Sequence, residues 1–129
     1  MTAEQLLEQA VKARDNALAP FSRFKVGAAL ITSGGKLYTG CNIENASYGL
    51  TVCAERVALW KALSEGERSF LRIAVASDSN PPATPCGACR QLLWEFCGDL
   101  EIIMGNASGV KESTRLVDLF PRPFDQRSL

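Results

Sequence analysis

Histidine is absent from this sequence. That excludes a Ser-His-Asp triad, a Cys-His pair and any metal site with imidazole ligands, so a bound metal would have to rest on thiolates and carboxylates. An excess of basic charge is absent as well. Lys plus Arg and Asp plus Glu each number 14, and no segment concentrates the cations. Proteins that hold a nucleic-acid backbone carry a basic stripe, because much of their affinity comes from releasing phosphate counterions. The charge balance therefore points to a small, nearly neutral ligand and to no nucleic-acid partner. No apolar run approaches the roughly 20 residues that span a bilayer, so no membrane partner is expected. The opening Met-Thr-Ala-Glu-Gln-Leu-Leu lacks the basic-then-apolar order of a secretory signal, which makes the cytoplasm the expected compartment.

What is present suits one ordinary domain. The chain has 129 residues, of which 47% are hydrophobic, enough to bury a normal core over residues 1–129 as a single unit. Five cysteines stand out: Cys41, Cys53, Cys86, Cys89 and Cys97. An odd count in a reducing compartment argues against a disulfide framework and leaves metal binding or catalysis for some of them. Cys41, at a predicted strand end, and Cys97, late in a predicted helix, read as structural thiols.

Hydrophobic periodicity predicts a helix from Ala3 to about Leu18, ended by Pro20. An apolar run from Phe24 to Ile31, the turn Ser33-Gly34-Gly35 and a return from Lys36 to Ile43 read as a β-hairpin. The Gly-Gly pair lacks the spacing of a phosphate loop. Asn42 to Gly49 is a polar loop. A helix over about Val52–Ser64, a strand over Leu71–Ser77 and a helix over about Pro85–Phe96 follow. A strand over Leu100–Met104, a short one near Val110–Ser113 and a last helix over Leu116–Phe120 complete the chain. Trp60 and Trp94, on apolar helix faces, read as core. Strands alternating with helices imply right-handed crossovers and a partly parallel sheet with helices on its faces, an α/β class.

Two segments carry the chemistry: Cys53-Ala54-Glu55-Arg56 and Pro85-Cys86-Gly87-Ala88-Cys89. Each opens a predicted helix, with Thr51 a candidate cap for the first, Thr84 for the second, and Pro85 suited to the second helix's first turn. Cys86 and Cys89 share a helix face. Cys53 and Glu55 would point to nearly opposite sides of a helix body, so both serve one site only if it lies off the helix end. There the free N–H groups and the positive end of the dipole favour thiolate. A metal between two helix starts, ligated by Cys53, Cys86 and Cys89, follows. Three thiolates leave a tetrahedral Zn²⁺ with one open position for water, whose pKa zinc brings from about 15.7 to roughly 7 in favourable sites. Arg56, three residues beyond Cys53, is placed to donate to the thiolates and offset their excess charge.

These two segments resemble the signature of the zinc deaminases. The resemblance extends to Phe24-Lys25-Val26-Gly27-Ala28-Ala29, Gly40-Cys41-Asn42-Ile43-Glu44-Asn45-Ala46, Cys89-Arg90-Gln91 and Leu119-Phe120-Pro121-Arg122-Pro123-Phe124, which are similar to the small homotetrameric cytidine deaminases with an all-Cys zinc site. It covers essentially the whole chain. Phe120 stands where the family's closing pattern has Leu. The resemblance implies a three-layer α/β/α fold with a mixed five-stranded sheet and an opening antiparallel hairpin. It implies one zinc ion per chain and hydrolysis of cytidine and 2′-deoxycytidine to the uracil nucleosides plus ammonia, in pyrimidine salvage. Glu55 would be the proton shuttle to N3 and to the leaving ammonia. Phe24 would pack against the base, Asn42 and Glu44 would bind the ribose 3′-hydroxyl, and backbone near Ala54 and Cys86 would bind the pyrimidine. Tyr48 and Phe124 match positions supplied by neighbouring subunits, so active sites at the interfaces of a homotetramer are expected.

Other readings weigh less. A structural zinc module would offer a fourth ligand and no adjacent Glu, and a thioredoxin-like Cys86/Cys89 pair leaves Cys53 and Glu55 unexplained. A deaminase of a related aminopyrimidine, such as a blasticidin-type nucleoside antibiotic or a nucleotide, is the alternative of the same chemical class. No Arg/Lys cluster near the motifs suggests a phosphate clamp. A polynucleotide editor is disfavoured by the neutral charge balance.

Overall fold

The computed structural model describes residues 1–129. Strand β1 (Gly27–Thr32) reads Gly-Ala-Ala-Leu-Ile-Thr and is buried throughout, as a strand covered on both faces must be. It is flanked by β2 (Leu37–Cys41) and β3 (Phe70–Ala76), with β4 (Glu101–Asn106) and β5 (Gly109–Arg115) completing one sheet in the order β2-β1-β3-β4-β5. β1 runs antiparallel to both its neighbours, β3 and β4 are parallel, and β5 returns antiparallel. The opening hairpin and the mixed five-stranded sheet are thus as expected.

Alternate side chains sort onto the two faces because successive residues of a strand point opposite ways. Ala28, Leu30, Ile73, Ile102 and Met104 face α2 (Ala54–Ser64) and α3 (Gly87–Cys97), meeting Ala58, Leu59 and Leu93. Ala29, Ile31, Ala74, Ala76 and Ile103 face α1 (Ala3–Arg14), meeting Leu6, Leu7 and Ala10. The result is three layers, α/β/α. At two positions the helices come so near the sheet that only glycine fits. A β-carbon on Gly27 would lie 1.9 Å from the Ala10 carbonyl oxygen, and one on Gly40 would lie 2.5 Å from that of Ala54. Gly40 therefore seats the first turn of α2 directly on β2.

Several boundaries differ from the sequence reading. α1 stops at Arg14, well before Pro20; beyond it Ala17 is buried outside the helix, while Leu18 is exposed and its backbone bridges to Ile43. Pro85 lies before α3 rather than in its first turn. β5 spans seven residues; its polar Lys-Glu-Ser-Thr stretch forms an exposed sheet edge and carries no apolar signal. A short helix, α4 (Leu116–Leu119), ends near the expected place. Trp60 is exposed, not core, whereas Trp94 packs partly buried against the core. No helix is long and apolar enough to cross a membrane.

Candidate metal centre and active site

Both cysteine motifs sit two residues earlier in their helices than a capping threonine would place them. Cys53 is the N-cap of α2 and Cys86 the N-cap of α3, both extended in backbone, and neither side chain bonds its helix's own amides. The sulfurs are left free to point off the helix ends. Thr51 and Thr84 are consequently not caps: Thr51 Oγ1 accepts from the Asn45 amide at 3.0 Å, and Thr84 Oγ1 accepts from Arg90 Nη2 at 2.8 Å. Cys89, one turn into α3, is fully buried and brings the third sulfur to the same place.

The three Sγ atoms lie within 4.8 Å of one another, with Cys53–Cys86 at 3.9 Å and Cys86–Cys89 at 3.5 Å. Tetrahedral zinc with bonds of about 2.3 Å would set its sulfurs about 3.8 Å apart, so the donor set fits that ion. Cys41 is outside the cluster, at the end of β2 opposite Gly27, so three sulfurs and no fourth protein donor converge. The electrostatics agree. The Cys89 thiol, donating to Cys53, and then the Arg56 guanidinium pull the Cys53 thiol down to about 5. Cys89 is pushed the other way, chiefly by that same hydrogen bond. Sulfurs this close cannot all ionise without a cation among them. Arg56 Nη2 donates to Cys53 Sγ at 3.3 Å, while its Nε is buried without a partner.

Glu55 follows Cys53 by two residues and is only 5% exposed. Burial, with the charge of Cys53 adding to it, pushes its carboxyl up to about 7, against a backbone N–H hydrogen bond that favours the charged form. Such a carboxyl can both take and give a proton near neutrality. It lines a cleft of about 250 Å³ together with Phe24, Asn42, Glu44, Ala54 and Cys86. Glu44 is fixed as an acceptor: its Oε1 receives the Phe21 and Ser22 amides at 2.9 and 3.1 Å, and its Oε2 receives the Ser22 hydroxyl. The Ser22 hydroxyl is the main cause holding the Glu44 carboxyl below its ordinary range. Asn42 accepts from the Val26 amide at 2.9 Å and donates to the Phe24 carbonyl at 2.7 Å, so it also sets the backbone that carries Phe24.

Two expected site residues are not brought into this cleft. Tyr48, 75% exposed, packs edge-on against Phe21 with ring centroids 6.0 Å apart. Phe124, 60% exposed, lies beyond α3, where its carbonyl accepts from Gln91 Nε2 at 2.8 Å. The sequence reading missed Ser22 and gave Arg90 no role. The long-range contacts, Ser22 to Glu44 and Arg90 to Leu119, join residues more than twenty positions apart and leave no local signal.

Comparison with known proteins gives a consistent picture. The sequence model of the cytidine and deoxycytidylate deaminase zinc-binding region matches residues 1–105. The cytidine deaminase of Sporosarcina psychrophila is 46% identical over 130 residues, covering 100% of this chain and 96% of that protein. That of Halalkalibacterium halodurans is 48% identical over 125 residues, covering 96% and 95%. The crystal structure of cytidine deaminase from Burkholderia pseudomallei superposes with a TM-score of 0.93 at 50% identity, covering 96% of this chain and 100% of that one.

Proposed function

This chain belongs to the cytidine and deoxycytidylate deaminase zinc-binding family, and on that premise we propose that it hydrolyses the 4-amino group of cytidine and 2′-deoxycytidine, giving uridine and 2′-deoxyuridine plus ammonia, in pyrimidine salvage. The observation that carries the reading is a buried carboxyl, Glu55, beside three converging sulfurs with no fourth protein donor, in a cleft open to a small molecule.

Cys53, Cys86 and Cys89 hold one zinc ion per chain. Bound there, zinc supplies the Lewis acidity that makes water a competent nucleophile near neutral pH. Glu55 accepts a proton from the water that attacks C4 and delivers it to N3 of the base. It then takes the remaining proton from the new C4 hydroxyl and passes it to the amino group, so that the C4–N bond breaks, the C4 carbonyl forms and ammonia leaves. Arg56 spreads positive charge onto Cys53 and limits the excess negative charge of the sulfur cluster. Phe24 packs on the pyrimidine, backbone at Ala54 and Cys86 reads its polar edge, and Glu44 and Asn42 receive the ribose 3′-hydroxyl. Glu44 arrives at that task already charged and already oriented. Tyr48 and Phe124 complete the site of a neighbouring copy in a homotetramer, a role that their exposure and their absence from this cleft support. The chain works as a single domain in the cytoplasm, where its five unpaired cysteines stay reduced.

The test is loss of ultraviolet absorbance on adding cytidine, run beside cytosine, CMP, adenosine and blasticidin S. Turnover confined to cytidine and deoxycytidine is expected; rapid turnover of CMP, cytosine or the antibiotic would replace the nucleoside assignment. Glu55→Gln should retain one zinc per chain by metal analysis while kcat falls about a thousandfold, as loss of a general acid–base does.

A further inference from the structure

We propose that Arg90 is a positioning residue that ties the metal-ligating turn to the closing segment, so that one guanidinium fixes the places of Cys86 and Phe124 together. The proposal rests on the zinc-site reading above and gives a task to a residue which that reading leaves idle.

Arg90 lies in the first turn of α3, its amide closing the first helical bond onto the Cys86 carbonyl at 2.9 Å. Its side chain turns back toward the helix start. Nε donates to the Pro85 carbonyl at 2.7 Å and Nη2 to Thr84 Oγ1 at 2.8 Å, while Nη1 donates to the Leu119 carbonyl at 2.6 Å. The first two acceptors immediately precede Cys86. The third opens the segment that runs through Phe120 to Phe124.

Three features make this more than a surface contact. First, Cys86 occupies the N-cap without capping, because its sulfur is committed elsewhere. The usual lock on a helix start is therefore missing, and the hydrogen bonds that Thr84 and Pro85 make are those with Arg90. Second, a cation in the first turn of a helix runs against the macrodipole, so the placement does not serve the helix itself. Third, the same helix holds the closing segment at two further points, Gln91 to the Phe124 carbonyl and Trp94 Nε1 to Asp125 Oδ2 at 3.0 Å. Neither of those touches the metal-ligating turn; Arg90 alone among the three touches both. Only a planar fork with several fixed donors can reach these acceptors at once, and a lysine ammonium cannot.

The experiment uses the zinc-loaded protein and two readouts that need no substrate: zinc release into a chromophoric chelator, and hydrogen exchange in the peptide spanning residues 119–125. Arg90→Lys should release zinc about tenfold faster, in line with the loss of an outer partner of a metal ligand, and should exchange faster through 119–125. Thr84→Val should speed zinc release and leave exchange as in the wild type. Gln91→Ala should do the reverse, and with cytidine it should raise KM while kcat stays near wild type; Arg90→Lys should change both. An Arg90→Lys protein with wild-type zinc release or wild-type exchange overturns the proposal. Should that variant not fold, a Thr84→Val protein with unchanged zinc release overturns it equally. A wild-type protein inert toward cytidine would sink the function proposed above while leaving both readouts interpretable.

Discussion

Ser22 has no chemistry to perform, yet it sets two of the groups that would meet substrate. Its hydroxyl donates to Glu44 and accepts from the Phe24 amide at 3.0 Å, coupling the acceptor proposed for the ribose to the ring proposed against the base. Both groups would touch substrate equally in the ground and transition states, so their loss should act on binding alone. Ser22→Ala is expected to raise KM for cytidine about threefold to tenfold with kcat nearly unchanged, as removal of uniform binding does; steady-state kinetics would check it, and a fall in kcat with KM constant would contradict it. At this scale the sequence is legible only where chemistry is concentrated. Cys53 beside Glu55, and Cys86 three residues from Cys89, announce themselves through residue type and spacing. Ser22 and Arg90 are ordinary residues, and their contacts with Glu44 and Leu119 span 22 and 29 positions, which no local pattern reveals.

Among the elements, α2 matters most, because its start carries both a sulfur of the proposed metal site and the carboxyl proposed for proton transfer. Gly40 decides how low that turn sits. A methyl there would meet the Ala54 carbonyl oxygen at 2.5 Å and the Ala58 amide nitrogen at 2.6 Å, backbone atoms that cannot swing aside. Gly40→Ala should therefore lift α2, costing about 1–3 kcal/mol of stability by overpacking and lowering activity further than that loss explains. Thermal melts and kinetics should be compared with Gly49→Ala, where a methyl meets nothing within 4 Å. Equal, small effects at the two positions would show that the height of the helix is not critical. The helices and strands themselves read well from sequence wherever apolar residues recur on a buried face, as in β1, β3 and β4. The helix starts lie later than Thr51 and Thr84 suggest, because Cys53 and Cys86 occupy the N-caps with no side-chain bond to the helix. The apolar signal runs past the end of α1 because Ala17 is buried in the segment that follows the helix, and β5 outruns its apolar signal because an exposed edge strand carries no alternation.

For the molecule as a whole, one protomer displays more than a lone enzyme needs. Phe21, Tyr48, Leu50 and Phe124 are large, apolar and exposed, and two of them are residues expected to serve the site without entering this chain's cleft. Light scattering should give the mass of four chains, and specific activity should fall as dilution separates them; a fully active monomer would end the shared-site reading. The sulfur cluster has a consequence at the same scale. Cys53 and Cys86 are 33 positions apart, so an ion gripping both closes a loop that takes in α2 and β3, much as a disulfide would. Unlike a disulfide, that staple opens to a chelator without any reductant, which makes the coherence of this face of the protein answer to the supply of metal in its surroundings rather than to their redox state.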